Sequence, residues 1–116
     1  MIPNQGRNEA SGYMVSDASS MEWGDGTTSE SLSDTALENE LLSKGEGDDD
    51  VTFSDGGNGE AVFEGLVALD ELNGEDVSEV GITGASAFWL RIVHEAVAKE
   101  NDFELEYEIT VTYSNG

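Results

Sequence analysis

His94 is the only histidine in the chain, and Glu95 follows it directly. An imidazole beside a carboxylate is the pairing by which many enzymes position a general base. Catalysis would also need a nucleophile and an oxyanion site, and no motif in the sequence marks either of them. The chain contains no cysteine, which excludes thiolate nucleophiles, disulfides and cysteine-ligated zinc. We therefore expect His94 to be a partly buried structural residue and the protein to be non-enzymatic, with no catalytic residues.

Residues 55–60 (D-G-G-N-G-E) combine oxygen-bearing side chains with glycines. Asp55, Asn58 and Glu60 offer oxygen ligands at alternating spacing, and the glycines allow the tight curvature that a hard cation requires. The run lacks the EF-hand pattern, and clusters of Gly, Asn and Asp usually form turns. The segment is thus either a turn or a site for a divalent cation such as Ca²⁺, and we expect no other cofactor.

The aromatic residues indicate a packed core and an assembly surface. Adjacent residues on a strand face opposite sides, so the side chains of Phe88 and Trp89 cannot share one core. One of them should face a neighbouring subunit or a ligand such as a sugar, and an interface within a symmetric oligomer is the simplest explanation. The candidate interface residues are Ile2, Arg7, Trp23, Phe88, Trp89, Tyr107 and Tyr113.

The elements that would position these residues are mostly strands. Apolar and polar residues alternate over 103–113, which is typical of a half-buried antiparallel strand. Shorter β-type runs occur at 21–23, 51–53, 60–69, 77–83 and 86–94, separated by Gly-rich turns. Residues 33–42 carry a capping signature and predict one short helical segment. We predict a mainly β protein, an antiparallel β-sandwich over 21–116 with an acidic loop at 43–50, preceded by an N-terminal arm or short helix at 1–20.

Composition points to an unusual surface. The chain has 116 residues, of which 26 are Asp or Glu and 4 are Lys or Arg, and its formal net charge is −22. Like-charge repulsion disfavours binding to nucleic acid or to an anionic membrane. No apolar run is long enough for a spanning helix, and no signal-peptide core is visible, so we expect a soluble protein.

Three explanations of the acidity compete. In molar salt the carboxylates are screened and keep a protein hydrated, and the presence of only two lysines fits such a salt-adapted surface. Carboxylates spaced like phosphates would instead mimic DNA, although the acidic residues are spread over both halves of the chain. Binding of a divalent cation is the third explanation, and it requires a specific loop.

Five segments occur in an order that resembles a family of small structural proteins of tailed viruses. They are residues 2–8 (I-P-N-Q-G-R-N), 24–28 (G-D-G-T-T), 33–40 (S-D-T-A-L-E-N-E), 72–82 (L-N-G-E-D-V-S-E-V-G-I) and the strand approach from 99 to 110. The resemblance covers nearly the whole chain, while residues 14–21 and 44–50 depart from it. Together with the salt-adapted composition, it implies a virion protein of a tailed virus that infects haloarchaea.

The resemblance also implies where such a protein works. It would be assembled in the cytoplasm of the halophilic host and reside in the virion, in the tail, baseplate or fibre, or in a capsid turret or head fibre. Its partners would be further copies of itself and other virion proteins. The alternatives are an acidic DNA-mimic inhibitor and, more remotely, a host-attachment adhesin that depends on calcium bound at 55–60.

Overall fold

The computed structural model describes residues 4–57 and 59–112. Within these ranges the chain forms a helix followed by seven strands, and all paired strands are antiparallel. The elements are α1 (Asn4–Asp17), β1 (Ala18–Gly24), β2 (Glu40–Gly45), β3 (Val51–Gly57), β4 (Glu60–Val67), β5 (Asp76–Gly84), β6 (Phe88–Ala98) and β7 (Leu105–Thr112).

The strands form two sheets that enclose the core. The four-stranded sheet has the order β2-β1-β5-β6, and the three-stranded sheet has the order β3-β4-β7. Trp23 of the first sheet and Tyr107 of the second contact each other edge to face, with 6.0 Å between their ring centres. This arrangement confirms the predicted mainly β, antiparallel sandwich.

The alternation in β7 produces one face of this core. Leu105, Tyr107, Ile109 and Val111 pack against or within the core, whereas Glu106 and Glu108 are exposed. The half-buried strand predicted from the alternation is thus confirmed.

Gly65 of β4 lets the two sheets approach. It pairs with Tyr107, and a Cβ atom added there would lie 2.9 Å from Cζ2 of Trp23 and even closer to the sulfur of Met21. A side chain at this position would therefore force the sheets apart.

The segment between β1 and β2 corrects the predicted helix at 33–42. The backbone N–H groups of Glu38 and Asn39 donate to the carboxylate of Glu79 on β5 instead of to helical carbonyls. Leu42 belongs to β2, where it pairs with Trp23. We call residues 25–39 the strap, because they lie across the outer face of the four-stranded sheet, where Leu37 approaches Gly81. The strap explains why β5 is buried on both faces.

The predicted N-terminal helix is observed as α1, with a boundary different from the expected one. The helix ends at Asp17, and residues 18–20 already belong to β1. Met14 is buried in the core. The carboxylate of Asp17 accepts hydrogen bonds from Trp89 Nε1 at 2.9 Å and from the backbone N–H of Ser86, which fix the end of the helix to the β5–β6 hairpin. The loop expected at 43–50 is also shorter, since residues 43–45 form the end of β2.

Candidate functional site

His94 lies on β6 and makes hydrogen bonds through both ring nitrogens. Nδ1 lies 2.8 Å from the backbone carbonyl oxygen of Glu95, and Nε2 lies 2.8 Å from the hydroxyl of Tyr107. Because a carbonyl only accepts, Nδ1 donates to it, and Nε2 faces the tyrosine hydroxyl. Burial raises the pKa of Tyr107 to about 12, which keeps the phenol protonated as the donor. The carboxylate of Glu95 is exposed and does not orient the ring. The arrangement is that of a structural histidine joining the two sheets.

The candidate cation loop has a turn geometry where it is described. Asp55 Oδ1 accepts a hydrogen bond from the backbone N–H of Gly57 at 2.9 Å, which is a local turn contact. Glu60 pairs with Gly57 at the start of β4. Asn58 lies outside the described residues. Across residues 4–57 and 59–112, no group of three or more His, Asp or Glu side chains is arranged to hold a metal ion.

The most highly connected charged pair is formed by Glu79 and Arg91, which the search for chemistry in the sequence did not identify. Glu79 is completely buried on β5, and its Oε1 accepts from Arg91 Nε at 2.8 Å. Its carboxylate also accepts the backbone N–H groups of Gly26, Glu38 and Asn39 at 2.8 to 3.0 Å. Burial alone would raise the pKa of Glu79, but these hydrogen bonds outweigh it and hold the pKa below its ordinary value.

Arg91 holds the other half of the strap. Its Nη2 donates to the carbonyl of Thr28 at 2.8 Å, and its Nη1 lies 3.2 Å from Oδ2 of Asp34. Glu30 extends the strap to the edge of the sheet, where its carboxylate accepts the backbone N–H of Val93. The pair thus fastens residues 25–39 to β5 and β6.

Lys44 falls in the acidic loop expected at 43–50, but it lies inside the molecule. Its side chain is 4% exposed, and Nζ contacts Asp50 at 2.7 Å, Glu71 and the carbonyl of Leu66 at 2.7 Å. Burial alone would lower the pKa of Lys44, but the hydrogen bonds to the two carboxylates raise it. The correction has a physical reason, because an ammonium can be buried when two carboxylates and a carbonyl surround it.

Lys99 is the third internal cation. The residue is completely buried, and its ammonium donates to three neutral oxygens: Asn73 Oδ1 at 3.0 Å and the backbone carbonyls of Leu69 and Glu100. Nζ also lies 5.5 Å from the ring centre of Phe103. Lys99 therefore joins the β4–β5 turn to the β6–β7 connection.

The outer surface of the three-stranded sheet is acidic. Three basic side chains are described, those of Lys44, Arg91 and Lys99, and all three are buried. On the three-stranded sheet, the exposed Glu64 and Glu108 stand directly opposite each other on neighbouring strands. They border an open cavity of about 460 Å³ that Asp49, Asp50 and Glu106 also line. Like charges in such a pair destabilise a sheet at low salt.

A second cavity, of about 370 Å³, lies between the strap and β6. Phe88, Leu90 and Arg91 form part of its wall on the strand, and Glu30, Leu32 and Asp34 line it on the strap. Leu32 is fully solvent-exposed, at 109% of the reference area. Apolar side chains mark a binding surface when several of them form one contiguous exposed patch, whereas a single exposed leucine is common on protein surfaces.

The candidate interface residues are separated by the structure. Trp23 is completely buried, so its position is corrected from an interface to the core, because its ring fills the space over Gly65. Tyr107 is half-buried between Trp23 and His94. Ile2, Tyr113 and the side chain of Arg7 lie outside the described part of the chain.

Phe88 and Trp89 have different ring neighbours, although both line the second cavity, at a point where the pairing of β5 with β6 shifts register. The ring of Phe88 approaches Gly81 together with Leu37. The ring of Trp89 contacts Tyr13 edge to face, with 5.8 Å between centres. Phe88 therefore remains on the outer surface beside the second cavity.

Comparison with known proteins gives no relative, since no family model and no curated protein sequence matches the chain. In the described residues, no helix is both long and apolar enough to cross a membrane.

Proposed function

We propose that this chain is a non-enzymatic structural protein of the virion of a tailed virus that infects haloarchaea. It serves in the tail, baseplate or fibre, or in a capsid turret or head fibre, after assembly in the cytoplasm of the halophilic host. Its partners are copies of itself and other virion proteins. The resemblance in motif order motivates the viral role, and the sandwich fold is suited to a small building block.

The observation that carries the proposal is the separation of charges between the interior and the surface. The described basic side chains are all buried and hydrogen-bonded within the molecule. Carboxylates such as those of Glu64 and Glu108 lie opposite each other on the outer surface. At about 1 M salt the Debye length is about 3 Å, so this repulsion is almost completely screened. A surface of this kind fits a particle that works in concentrated salt.

The structural role also agrees with the chemistry of the interior. His94 uses both ring nitrogens in internal hydrogen bonds, so the candidate base is occupied. The Glu79–Arg91 pair is likewise saturated by contacts within the chain. Both features favour a scaffold over a catalyst.

Purified virions provide the test. The protein should copurify with infectious particles through a density gradient in concentrated salt, and mass spectrometry should detect it at a stoichiometry of many copies. Immunogold labelling would then place it on the head or on the tail. Its absence from purified particles, despite its presence in infected cells, would overturn the proposal.

A DNA-mimic inhibitor is a second candidate, and the acidic cavity on the three-stranded sheet favours it. Glu64, Glu106 and Glu108 lie on two neighbouring strands at that cavity, with Asp49 and Asp50 at its border. A mimic would bind a cationic DNA-binding protein of the host, compete with DNA and be missing from the particle. If the chain is such a mimic, substituting Glu64 and Glu108 by Gln should abolish the competition. If it is a virion protein, the same substitutions should leave its incorporation into particles unchanged.

A further inference from the structure

The edge strands of the two sheets differ in how regularly they pair. They are β2 and β6 in the four-stranded sheet, and β3 and β7 in the three-stranded sheet. The ladders that join β2, β3 and β6 to their neighbours each contain a register shift, and such irregularities discourage further pairing at an edge. β7 pairs with β4 from Leu105 to Thr112 without a shift. Among the described strands, β7 is therefore the edge best suited to accept another strand.

The backbone of β7 has no partner, within the described residues, on the side that faces away from β4. Hydrogen bonds to the backbone of residues 105–112 come from the β4 ladder alone. On β6, by contrast, the carboxylate of Glu30 accepts the N–H of Val93 and interrupts the edge. β7 also contains neither proline nor lysine, which commonly protect an edge. A further antiparallel strand can thus bond to alternate residues of β7.

The charged residues of β7 are confined to one half of its exposed face. Glu106 and Glu108 lie in the first half, and Thr110 and Thr112 lie in the second. If two β7 strands pair antiparallel about Ile109, each glutamate stands opposite a threonine of the other copy. Centring the pair one or two residues earlier would instead place glutamates directly opposite each other, which is destabilising. The sequence of the strand therefore favours one register of self-pairing.

The same register also matches the apolar residues on the inner side of β7. Ile109 meets its own copy, and Tyr107 stands opposite Val111. An aromatic residue opposite a β-branched one is a favourable cross-strand pair. Tyr107 and Val111 are only half-buried in the single chain, so a second strand would cover area that the core leaves open.

We propose that β7 pairs with β7 of a second copy of this chain, antiparallel and centred on Ile109, so that two three-stranded sheets become one six-stranded sheet. A two-fold axis through the Ile109 pair relates the copies, and the contact closes as a dimer. Over residues 106–112 the new ladder contains about six to eight hydrogen bonds. The inference deepens the proposed function and rests on it, with the dimer as the building block of the particle.

Charge repulsion makes this contact dependent on salt. In the favoured register the two Glu108 side chains are diagonal neighbours, roughly 7–8 Å apart. This separation is shorter than the Debye length of about 10 Å at 0.1 M salt and longer than the length of about 3 Å at 1 M. The dimer should therefore form in concentrated salt and weaken as the salt is diluted.

Sedimentation equilibrium at neutral pH tests the pairing. The wild type should be dimeric at micromolar concentration in about 3 M KCl, and its dissociation constant should rise at least about 10-fold in about 0.3 M KCl. Thr110→Lys places an ammonium opposite Glu108 of the second copy. It should tighten the dimer about 10-fold in the dilute salt, because two pairs of opposite charge form.

The matched control is Ser54→Lys on the other edge of the same sheet. Ser54 and Thr110 are both exposed, and they pair with Val62 from its two sides. The control adds the same charge to the same face, away from the proposed contact. It should change the dissociation constant less than about 3-fold, because repulsion over longer distances is screened.

Engineered cysteines report the register, since the chain has no cysteine of its own. In the double variant Glu108→Cys/Thr110→Cys, the two positions lie opposite each other across the dimer, so an added oxidant should link the copies by disulfides. Each single variant should stay unlinked, because its cysteine lies diagonal to its counterpart and beyond disulfide reach. The β3 double variant Thr52→Cys/Ser54→Cys should stay unlinked as well.

Near-UV circular dichroism verifies that each variant is folded. A monomeric wild type in 3 M KCl, equal effects of the two lysine variants, or cross-linking of a single variant or of the β3 control would overturn the pairing. These outcomes are separable from the virion role. Incorporation of a monomeric wild type into particles would leave that role intact, whereas a β7-paired dimer absent from particles would refute the role alone.

Discussion

Replacing Glu79 by glutamine should destabilise the protein by about 3–5 kcal/mol, since it breaks a completely buried ion pair. Oε1 of Glu79 accepts from Glu38 N and Arg91 Nε, and Oε2 accepts from Gly26 N and Asn39 N. A glutamine retains one oxygen and places its own N–H₂ against two of these donors. Each buried donor left without an acceptor costs about 1–3 kcal/mol, which independently gives a similar sum. For a chain of this length, the melting temperature should fall by roughly 10–20 °C.

Urea denaturation in about 3 M KCl, followed by circular dichroism, measures this loss under conditions that screen surface charge. The matched control is Glu64→Gln, because Glu64 is exposed opposite Glu108, and its neutralisation should change stability by less than about 0.5 kcal/mol. A loss below about 1 kcal/mol for Glu79→Gln would refute the role assigned to the pair, and so would an equal loss for the control.

The carboxylate of Glu79 also predicts that the protein loses stability at low pH. The pKa of Glu79 lies below its ordinary value of 4.5 in the folded protein. Its contribution is therefore complete above pH 4.5, and it is lost as the pH falls through the lower, folded-state pKa. The wild type should consequently lose stability on acidification in that range, and Glu79→Gln should lose less.

Three further changes address the surface, a carboxyl pair and the core. The melting temperature should rise markedly between about 0.1 and 3 M KCl, and a salt-insensitive value would contradict the screened acidic surface. Burial, with Glu40 as a hydrogen-bonded and charged neighbour, raises the pKa of Glu22 from 4.5 to about 8, so folding takes up a proton and stability falls as the pH rises through this window. Glu22→Gln should therefore raise the melting temperature most at pH 9, less at pH 6 and little at pH 4; equal effects at pH 9 and pH 4 would argue against the shift. Gly65→Ala should cost about 1–3 kcal/mol in urea denaturation by pushing apart the sheets. Gly45→Ala, where the nearest atom to the added Cβ would be 3.6 Å away, should be nearly neutral, and equal losses would exclude the close approach at Gly65.

The sheet framework could be predicted because its signals are local. The alternation over β7 depends only on neighbouring residues, and it separated the apolar side of the strand from the exposed glutamates. Tyr107 was expected at an interface, but it packs against the core beside Trp23. The β-type runs at 60–69, 77–83 and 86–94, bounded by Gly-rich turns, also located β4, β5 and the larger part of β6. Patterns of this kind remain valid in any tertiary context that covers one side of the sheet.

The strap could not be predicted because long-range contacts override its local signal. The capping signature in residues 33–42 favours a helix, but Glu79, about forty positions further along the chain, provides a better acceptor for Glu38 N and Asn39 N. A carboxylate within the apolar run 77–82 (V-S-E-V-G-I) was the available hint, since an ionised group in a doubly covered strand requires partners.

The position of Lys44 follows the same logic. The charged residues at 46–50 are typical of a solvated loop. The ammonium of Lys44 is nevertheless buried, because it donates hydrogen bonds to Asp50 and Glu71, which lie six and 27 positions further along the chain. Both lysines of the chain are buried and hydrogen-bonded.

The excess of acid consequently has two separate roles. Inside, Glu79, Asp50 and Glu71 pair with the buried cations Arg91 and Lys44, whereas Lys99 is held by neutral oxygens. The completely buried Glu79–Arg91 pair should be largely insensitive to salt. Outside, the carboxylates have no described cation to pair with, and their repulsion depends on screening alone. Salt should therefore change the stability of the whole sandwich while leaving the cost of Glu79→Gln nearly constant, because the mutated pair lies beyond the reach of the ions that screen the surface.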